Sequence, residues 1–389
     1  MPVLVTLAIA VFAVGVDNYI VAALLPAISN DLGAPVGEVG IIASAYALPT
    51  ALLAPVFGPF SDRRGRRAAL ILGLSIFAVG SAACVAAPTL PILIVARVIT
   101  GLGAAIIVPA AFAAASDGGT SGQRARTISI VAAMFPLSTL LGLPVGAVAG
   151  ILVGWRASFA LIMVLGLVAL ALVTWRLRDT PRTQPAGSYL ATYRILVTER
   201  RVLPILLVST CWFLATFGSF LYLTEFVHER FAVPAEQASL LLIVLGVMGT
   251  IASRVSEPLM VAIGPRRTCL TAISVFIVVA ILMPAAPVLP VVVVLFGVWA
   301  FGTWLGVPAN QTIVASISES TRGTLLAFNQ SAFNIAFVIS PLLIGRLIEI
   351  GGFDLSFRVA AGIGVVALVL AWLILPKTQP ATAALEAAA

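Results

Sequence analysis

The 389-residue chain has few charged residues. Asp, Glu, Lys and Arg make up 10% of it, and it contains one histidine and three cysteines. A soluble globular protein carries about 25% charged residues, so this composition excludes a surface that faces water everywhere. Cys84, Cys211 and Cys269 lack metal-ligand spacing, and we expect them to be buried small apolar residues. We therefore predict neither a bound metal nor an organic cofactor.

Two common chemical signatures are also missing. The sequence has no phosphate-binding loop of the form Gly-x-x-x-x-Gly-Lys, which argues against ATP-driven pumping. It shows no nucleophile paired with a base, so an enzyme is not expected. The formal net charge of +7 resides mainly in short loops between apolar runs, so we interpret it as a sign of topology and predict no nucleic-acid partner.

Apolar residues are abundant. They form 61% of the chain, and the mean hydropathy is +1.15. A transmembrane helix needs roughly 20 apolar residues, and the chain contains twelve runs of that kind. We predict an all-α integral membrane protein with a lipid bilayer as its solvent. The predicted spans are 4–28, 36–60, 67–87, 90–116, 126–151, 155–175, 202–226, 236–260, 267–285, 287–313, 323–348 and 355–375.

Basic residues alternate between the predicted loops. The loops after the even-numbered spans and the C-terminal tail hold sixteen Lys and Arg residues, whereas the opposite loops hold only Arg156, Arg230 and Arg358. Because positive residues are retained on the cytoplasmic side of a membrane, this bias predicts that both termini are cytoplasmic. It also supports an even number of spans.

A polar stretch divides the spans into two sets of six. Weak internal similarity follows the same division, since Gly65-Arg66-Arg67 after span 2 resembles Gly264-Pro265-Arg266 after span 8. In one class of secondary transporter, a substrate site lies at mid-membrane between two such repeats. The predicted parts are an N-terminal six-helix bundle at 1–175, a cytoplasmic linker at 176–201, a C-terminal six-helix bundle at 202–376 and a tail at 377–389.

Two charged residues lie deep within predicted spans, Asp17 in span 1 and Arg97 in span 4. A charge at the centre of a transmembrane helix costs at least ~2.5 kcal/mol unless a partner or water compensates it. We interpret Asp17 as a proton-binding carboxyl group whose proton affinity Arg97 modulates. A static ion pair and direct binding of a cationic substrate by Asp17 remain alternatives.

A polar cluster follows span 2 and has a counterpart after span 4. The glycines allow close packing and a tight turn, and the acids can face arginines, so we predict a latch on the cytoplasmic side. A simple topology anchor is the alternative. The latch residues are Gly58, Asp62, Arg63, Gly65, Arg66, Arg67 and Asp117. The cluster after span 2 resembles the signature of the major facilitator superfamily between spans 2 and 3, and Arg97 with Gly101 and Gly103 resembles the span-4 motif of that family.

Span 5 carries glycines at a spacing of four, Gly142, Gly146 and Gly150, with Pro144 between them. This pattern is similar to the span-5 motif of antiporter branches of the same superfamily. Packing of helices through small residues is the alternative interpretation.

The wider resemblance is to the arabinose-efflux-permease-like branch of drug:proton antiporters, through residues 24–28, 46–48 and 328–334. It implies proton-coupled export of small organic molecules, such as drugs or metabolites, by a monomer in a bacterial cytoplasmic membrane, with the proton gradient as the energy source. A proton symporter or facilitator for nutrient uptake remains the alternative.

Further polar and aromatic residues are candidates for the lining of a substrate cavity, although each could equally form a hydrogen bond between helices. They are Asn18, Tyr19, Tyr46, Tyr222, Asn310, Asn329 and Asn334. Two pairs with a spacing of three, Arg254 with Glu257 and Arg346 with Glu349, are predicted to form ion pairs on one helix face.

Overall fold

The structure, a computed structural model, consists of helices joined by short connections, with no strand among its described residues. In a bilayer no water satisfies the backbone N–H and C=O groups, and a helix satisfies them within one segment. The described residues are 2–116, 127–128, 130–131, 133–177, 199–234, 237–238, 240–317 and 322–376.

The first half contributes six main helices. The fifth is preceded by a short helix, Met134–Leu137, and by a π-helical turn, Ser138–Gly142. Another short helix, Val36–Val39, precedes the second. The six are α1 Pro2–Leu32, α2 Ile41–Arg64, α3 Arg66–Ala86, α4 Leu90–Ser116, α5 Leu143–Val153 and α6 Trp155–Arg176.

The second half contributes six more. Its last helical segment, Arg322–Ile374, has non-helical backbone at Gly351 and Gly352, so it forms two helices, α11 at 322–350 and α12 at 353–374. A break at Tyr222 separates the helix Val202–Leu221 from a short helix, Leu223–Phe231. The others are α7 Val202–Leu221, α8 Ile243–Ile263, α9 Pro265–Leu282 and α10 Leu289–Ala315.

Within the described residues, nine helices are long and apolar enough to cross a membrane. One of them, Phe328–Ile374, comprises most of α11 together with α12. The bent helix α8, with the turn before it, adds one further candidate span, and Ser138–Gly150 is a shorter apolar helix in the region of the predicted fifth span. The all-α membrane fold predicted from the sequence is confirmed.

The chain divides into two compact units. The first, unit 1, comprises Met1–Tyr189 with Pro234–Leu242, and the second, unit 2, comprises Leu190–Val233 with Ile243–Ala389. Unit 2 has its own buried apolar core, in which Trp212 is fully buried. In unit 1, α3 packs against α4 with so little space that a Cβ at Gly103 would lie 2.6 Å from the backbone nitrogen of Phe77.

The internal similarity of the sequence extends to local structure. Gly65 and Gly264 both adopt positive φ, 93° and 84°, and each caps the start of the next helix. Glycine adopts this conformation at no steric cost. In the first turn of that helix, the Arg67 guanidinium donates to the carbonyl of Thr174 at 2.9 Å in unit 1, and the Arg266 guanidinium donates to the carbonyl of Trp372 at 2.5 Å in unit 2.

Candidate functional site

An ion pair between Asp17 and Arg97 lies at the centre of unit 1. Asp17 is midway along α1, and Arg97 is in the second turn of α4. The Arg97 Nη1 atom donates to Asp17 Oδ1 at 2.5 Å, and both side chains are fully buried. The fold therefore brings together the two charged residues that lie deep within predicted spans, and this contact is needed if Arg97 is to modulate the proton affinity of Asp17.

Arg97 is held by several further contacts. Its Nε donates to the carbonyl of Ile42 at 3.3 Å, and its Nη2 donates to the backbone carbonyl of Asp17 at 3.3 Å. The guanidinium carbon lies 4.3 Å from the ring centroid of Tyr46 and 5.6 Å from that of Phe159. A cation over an aromatic face is stabilised, most strongly where water is excluded. Groups from α1, α2 and α6 thus fix the guanidinium independently of the carboxyl group.

The carboxyl group of Asp17 is less completely satisfied. Its Oδ2 atom is buried and has no hydrogen-bond partner among the described residues. Leaving a buried acceptor unpaired costs roughly 1–3 kcal/mol. A proton could bind at Oδ2 without displacing an existing hydrogen bond. It would neutralise the carboxylate and so weaken the electrostatic attraction between Asp17 and Arg97.

The local sequence explains why these groups meet. Gly101 lies one turn after Arg97, and a Cβ there would overlap the backbone carbonyl of Tyr46. The missing side chain lets α4 approach α2 closely. The Tyr46 hydroxyl donates to the carbonyl of Val14 at 3.3 Å, which ties α2 to α1 three residues before Asp17.

The glycine stripe of the predicted span-5 motif packs along the same helix, α1. A Cβ added at Gly142 would overlap the side chain of Val16 in α1. In the same way, a Cβ at Gly146 would overlap Ile20, and a Cβ at Gly150 would overlap Leu24. The carbonyl of Gly146 also accepts a hydrogen bond from the Ser158 hydroxyl at 2.7 Å, and Pro144 lies at the start of α5. The stripe therefore has a packing function, and its role in antiport stays a prediction.

Only part of the predicted cytoplasmic latch is described. Gly65 forms the turn after α2, Arg66 is 8% exposed, and Arg67 contacts α6. The side chains of Asp62 and Arg63, the surroundings of Gly58, and Asp117 lie outside the described residues. The latch stays a prediction.

The candidate cavity residues fall in both units, and several already have partners within their unit. In unit 2, the Tyr222 hydroxyl donates to the carbonyl of Pro341 at 3.0 Å, and the amide of Asn310 donates to Ser209 Oγ at 2.9 Å. Both polar groups are buried, which matches the interhelical alternative left open by the sequence. Their role in a cavity stays a prediction.

The remaining cavity candidates differ in exposure. Asn329 is 6% exposed, and its Oδ1 has no partner among the described residues. Asn18, Tyr19 and Asn334 are half-buried. Tyr46 is buried against Arg97, so its contact in the structure is with the ion pair.

One polar cluster was missed by the sequence analysis. The Oδ2 of Asp31, at the end of α1, accepts hydrogen bonds from Trp155 Nε1 at 3.0 Å and from Arg156 Nη1 at 2.6 Å. Arg156 also donates to the carbonyl of Ala87 at 3.0 Å. The cluster joins α1, α3 and α6, and the only sequence signal was a pair of opposite charges in loops on the same side of the membrane.

Comparison with known proteins agrees with this architecture. The chain is 26% identical over 376 residues to the uncharacterized MFS-type transporter YbcL of Bacillus subtilis (strain 168), covering 96% of this chain and 95% of that protein. It is 28% identical over 257 residues to a chloramphenicol resistance protein of Streptomyces lividans, covering 64% of this chain and 66% of that protein.

A similar fold occurs in the crystal structure of a D-xylose-proton symporter. The TM-score is 0.80 at 16% sequence identity, over 97% of this chain and 98% of that one. The family model described as Major Facilitator Superfamily matches residues 7–318 and 255–389. On this match the chain belongs to the major facilitator superfamily, a family of multi-pass membrane transporters and not of enzymes.

Proposed function

We propose that this transporter exports small organic molecules from the bacterial cytoplasm in exchange for protons, by alternating access between its two units. The observation that carries the proposal is the fully buried Asp17–Arg97 pair, in which Asp17 Oδ2 has no partner among the described residues. One oxygen of the carboxyl group is paired with Arg97 and the other accepts no hydrogen bond among the described residues, so this buried group can gain or lose a proton.

Protonation of Asp17 would change the stability of this arrangement. A neutral carboxyl group leaves the buried charge of Arg97 without a counter-ion, and breaking a buried pair in this way costs roughly 3–5 kcal/mol. The backbone carbonyls and aromatic rings around Arg97 compensate part of that cost. A conformation that gives Arg97 water or another partner would then be favoured, which couples the proton to the change of state.

The direction of transport is proposed from two supports. The span-5 glycine pattern is similar to that of antiporter branches, and a chloramphenicol resistance protein is among the relatives. Chloramphenicol is therefore the first compound to test. A susceptibility and metabolite-efflux screen on cells expressing the chain would identify the transported compound.

The decisive experiment uses inside-out vesicles with an acidic lumen and the compound found in that screen. Export by antiport predicts accumulation of the compound in the lumen, since protons leave as substrate enters. A symporter would instead drive the compound out of the lumen, and a facilitator would not respond to the gradient. Either result would overturn the proposed direction or coupling.

Asp17→Asn should abolish gradient-driven accumulation, because an amide cannot exchange a proton under these conditions. Asp354→Asn is a matched control, since Asp354 is an exposed acid in the first turn of α12. Substrate counterflow without a gradient should persist in Asp17→Asn. If the lone Arg97 charge prevents folding, the double variant Asp17→Asn with Arg97→Gln removes it and should show the same uncoupled behaviour. Unchanged gradient-driven flux in a folded Asp17→Asn protein would remove Asp17 from the mechanism.

A further inference from the structure

A groove with a volume of about 580 Å³ runs along the exposed face of α9 in unit 2. Most of its lining comes from α9, while Ile263 at the end of α8 and Val298 of α10 complete the walls. Arg267 and Thr271 of the lining are exposed, and Ser274 is half-exposed. An arginine and two hydroxyl groups on one outward face of a membrane helix are not expected from contact with acyl chains alone.

The lining changes in polarity with depth along α9. Arg267 lies in the first turn. At 1.5 Å per residue, Thr271 lies about 6 Å further along the axis, Ser274 about 10 Å and Val278 about 16 Å. One leaflet contributes roughly 15 Å of hydrocarbon. The order is a cation, then hydroxyl groups, then valines, which is the order of the phosphate, glycerol ester and acyl chain of a phospholipid.

The fold itself does not require these polar residues. Gly65 and Gly264 are equivalent turns, so the same face of α3 in unit 1 can be compared position by position. The residues Ala68, Leu72, Ser75 and Val79 stand there in place of Arg267, Thr271, Ser274 and Val278. Leu72 and Val79 are 43% and 63% exposed, so an apolar face serves unit 1 at the positions where unit 2 carries an arginine and a threonine.

The neighbouring arginine, Arg266, already has a structural role. Its guanidinium donates to the carbonyl of Trp372, as Arg67 does to Thr174 in unit 1. Arg267 forms no hydrogen bond or ion pair within the described residues. Its charge in the lining of the groove is therefore available to a ligand.

We propose that this groove binds one anionic phospholipid in the leaflet at which α9 begins. The phosphate pairs with the guanidinium of Arg267. The hydroxyl groups of Thr271 and Ser274 donate to the glycerol ester oxygens, and one acyl chain lies along Val275, Val278 and Val298. A basic residue near a membrane surface contributes about 1 kcal/mol to binding of an anionic lipid, which corresponds to about a fivefold change in affinity.

The test is a lipid titration of the purified full-length transporter, followed by native mass spectrometry. Phosphatidylglycerol is the anionic probe, and phosphatidylcholine of the same chains is the zwitterionic reference. Arg267→Gln should weaken the binding of one phosphatidylglycerol molecule about fivefold and weaken phosphatidylcholine binding less, because the choline cation offsets the charge of the phosphate that the two lipids share. Thr271→Leu, which installs the residue found at the matching position of α3, should weaken phosphatidylglycerol binding to a smaller degree.

Two controls make the result specific. Arg201→Gln removes an exposed arginine at the start of α7, outside the groove, and should leave the lipid affinity unchanged. The double variant Ala68→Arg with Leu72→Thr should create a second phosphatidylglycerol site on α3. Inorganic phosphate should not compete with the lipid.

Equal phosphatidylglycerol binding by the parent and Arg267→Gln proteins would overturn the proposal. Competition by inorganic phosphate alone would assign the site to a free anion instead of a lipid. Dimers that dissociate in Arg267→Gln would assign the groove to a second copy of the chain. None of these readouts depends on transport, so they are independent of the proposed exchange of protons.

Discussion

Two residues that are 80 positions apart in the sequence form the centre of unit 1. The contact between Asp17 and Arg97 could be predicted from the sequence, because a charged side chain in hydrocarbon is costly unless a partner compensates its charge. The sequence did not show that Tyr46 covers the guanidinium or that Phe159 lies nearby. An aromatic residue in a membrane helix gives no sign of whether its face meets a cation, a substrate or another apolar side chain, so Tyr46 was predicted as a cavity residue.

The Tyr46 ring should matter more to stability than its hydroxyl group. Tyr46→Phe removes one 3.3 Å hydrogen bond to Val14, which costs about 0.5–1.5 kcal/mol. Tyr46→Leu also removes the cation–π contact, worth about 2 kcal/mol or more where water is excluded. Thermal unfolding in detergent should therefore rank the parent first, then Tyr46→Phe, then Tyr46→Leu. Equal midpoints for the two variants would show that the ring does not stabilise Arg97.

Sequence spacing predicted one surface ion pair and failed for another. Arg346 and Glu349 form the expected pair at 2.8 Å. Arg254 and Glu257 have the same spacing and form no ion pair within the described residues, so that prediction was wrong. A spacing of three makes contact possible, but an exposed pair gains at most about 1 kcal/mol, and other rotamers of two long side chains compete with it.

At the scale of elements, the approach of α5 to α1 depends on the absence of side chains. Gly146→Val should overlap Ile20, and overpacking of this kind costs about 1–3 kcal/mol. Ile20→Ala alone should cost about 2–5 kcal/mol through the cavity that it leaves. The double variant should cost less than the sum, because the methyl groups introduced on α5 by the first substitution occupy the space vacated by the second.

The measurement is the unfolding midpoint of the parent, both single variants and the double variant, with specific transport activity recorded alongside. Gly362→Val is the matched control, since a Cβ built at Gly362 meets no atom within 4 Å beyond its chain neighbours and the backbone of its own helix, and it should be close to neutral. Strictly additive losses from Gly146→Val and Ile20→Ala would show that the two helices do not pack through this contact.

Helix boundaries were predictable where glycine or proline marks them. The predicted span 155–175 corresponds to Trp155–Arg176, which begins after Gly154 with a φ of 104°. Span 8 was predicted at 236–260 and the helix α8 is Ile243–Ile263, because the apolar run before it continues through a 3-10 turn, Leu240–Leu242. The break at Tyr222 had no signal, since neither glycine nor proline stands there.

For the molecule as a whole, the all-α membrane fold could be predicted from the composition and from the number and length of the apolar runs, because a bilayer admits few other structures. The predicted division at 176–201 depends on a segment that lies mostly outside the described residues, so these domain boundaries stay predictions. The orientation of the termini, the latch and the substrate also stay predictions. Apolar periodicity reports which faces meet lipid, and it carries no information about which polar residues meet a ligand.

In the proposed exchange, binding of substrate displaces the proton of Asp17. This is tested by proton release from the purified transporter in weakly buffered detergent, followed with a pH indicator, when the compound found in the efflux screen is added. We expect the parent protein to release protons on binding and Asp17→Asn to bind the compound without releasing any. Binding to the parent protein with no proton release at any pH, or equal release by Asp17→Asn, would rule this exchange out.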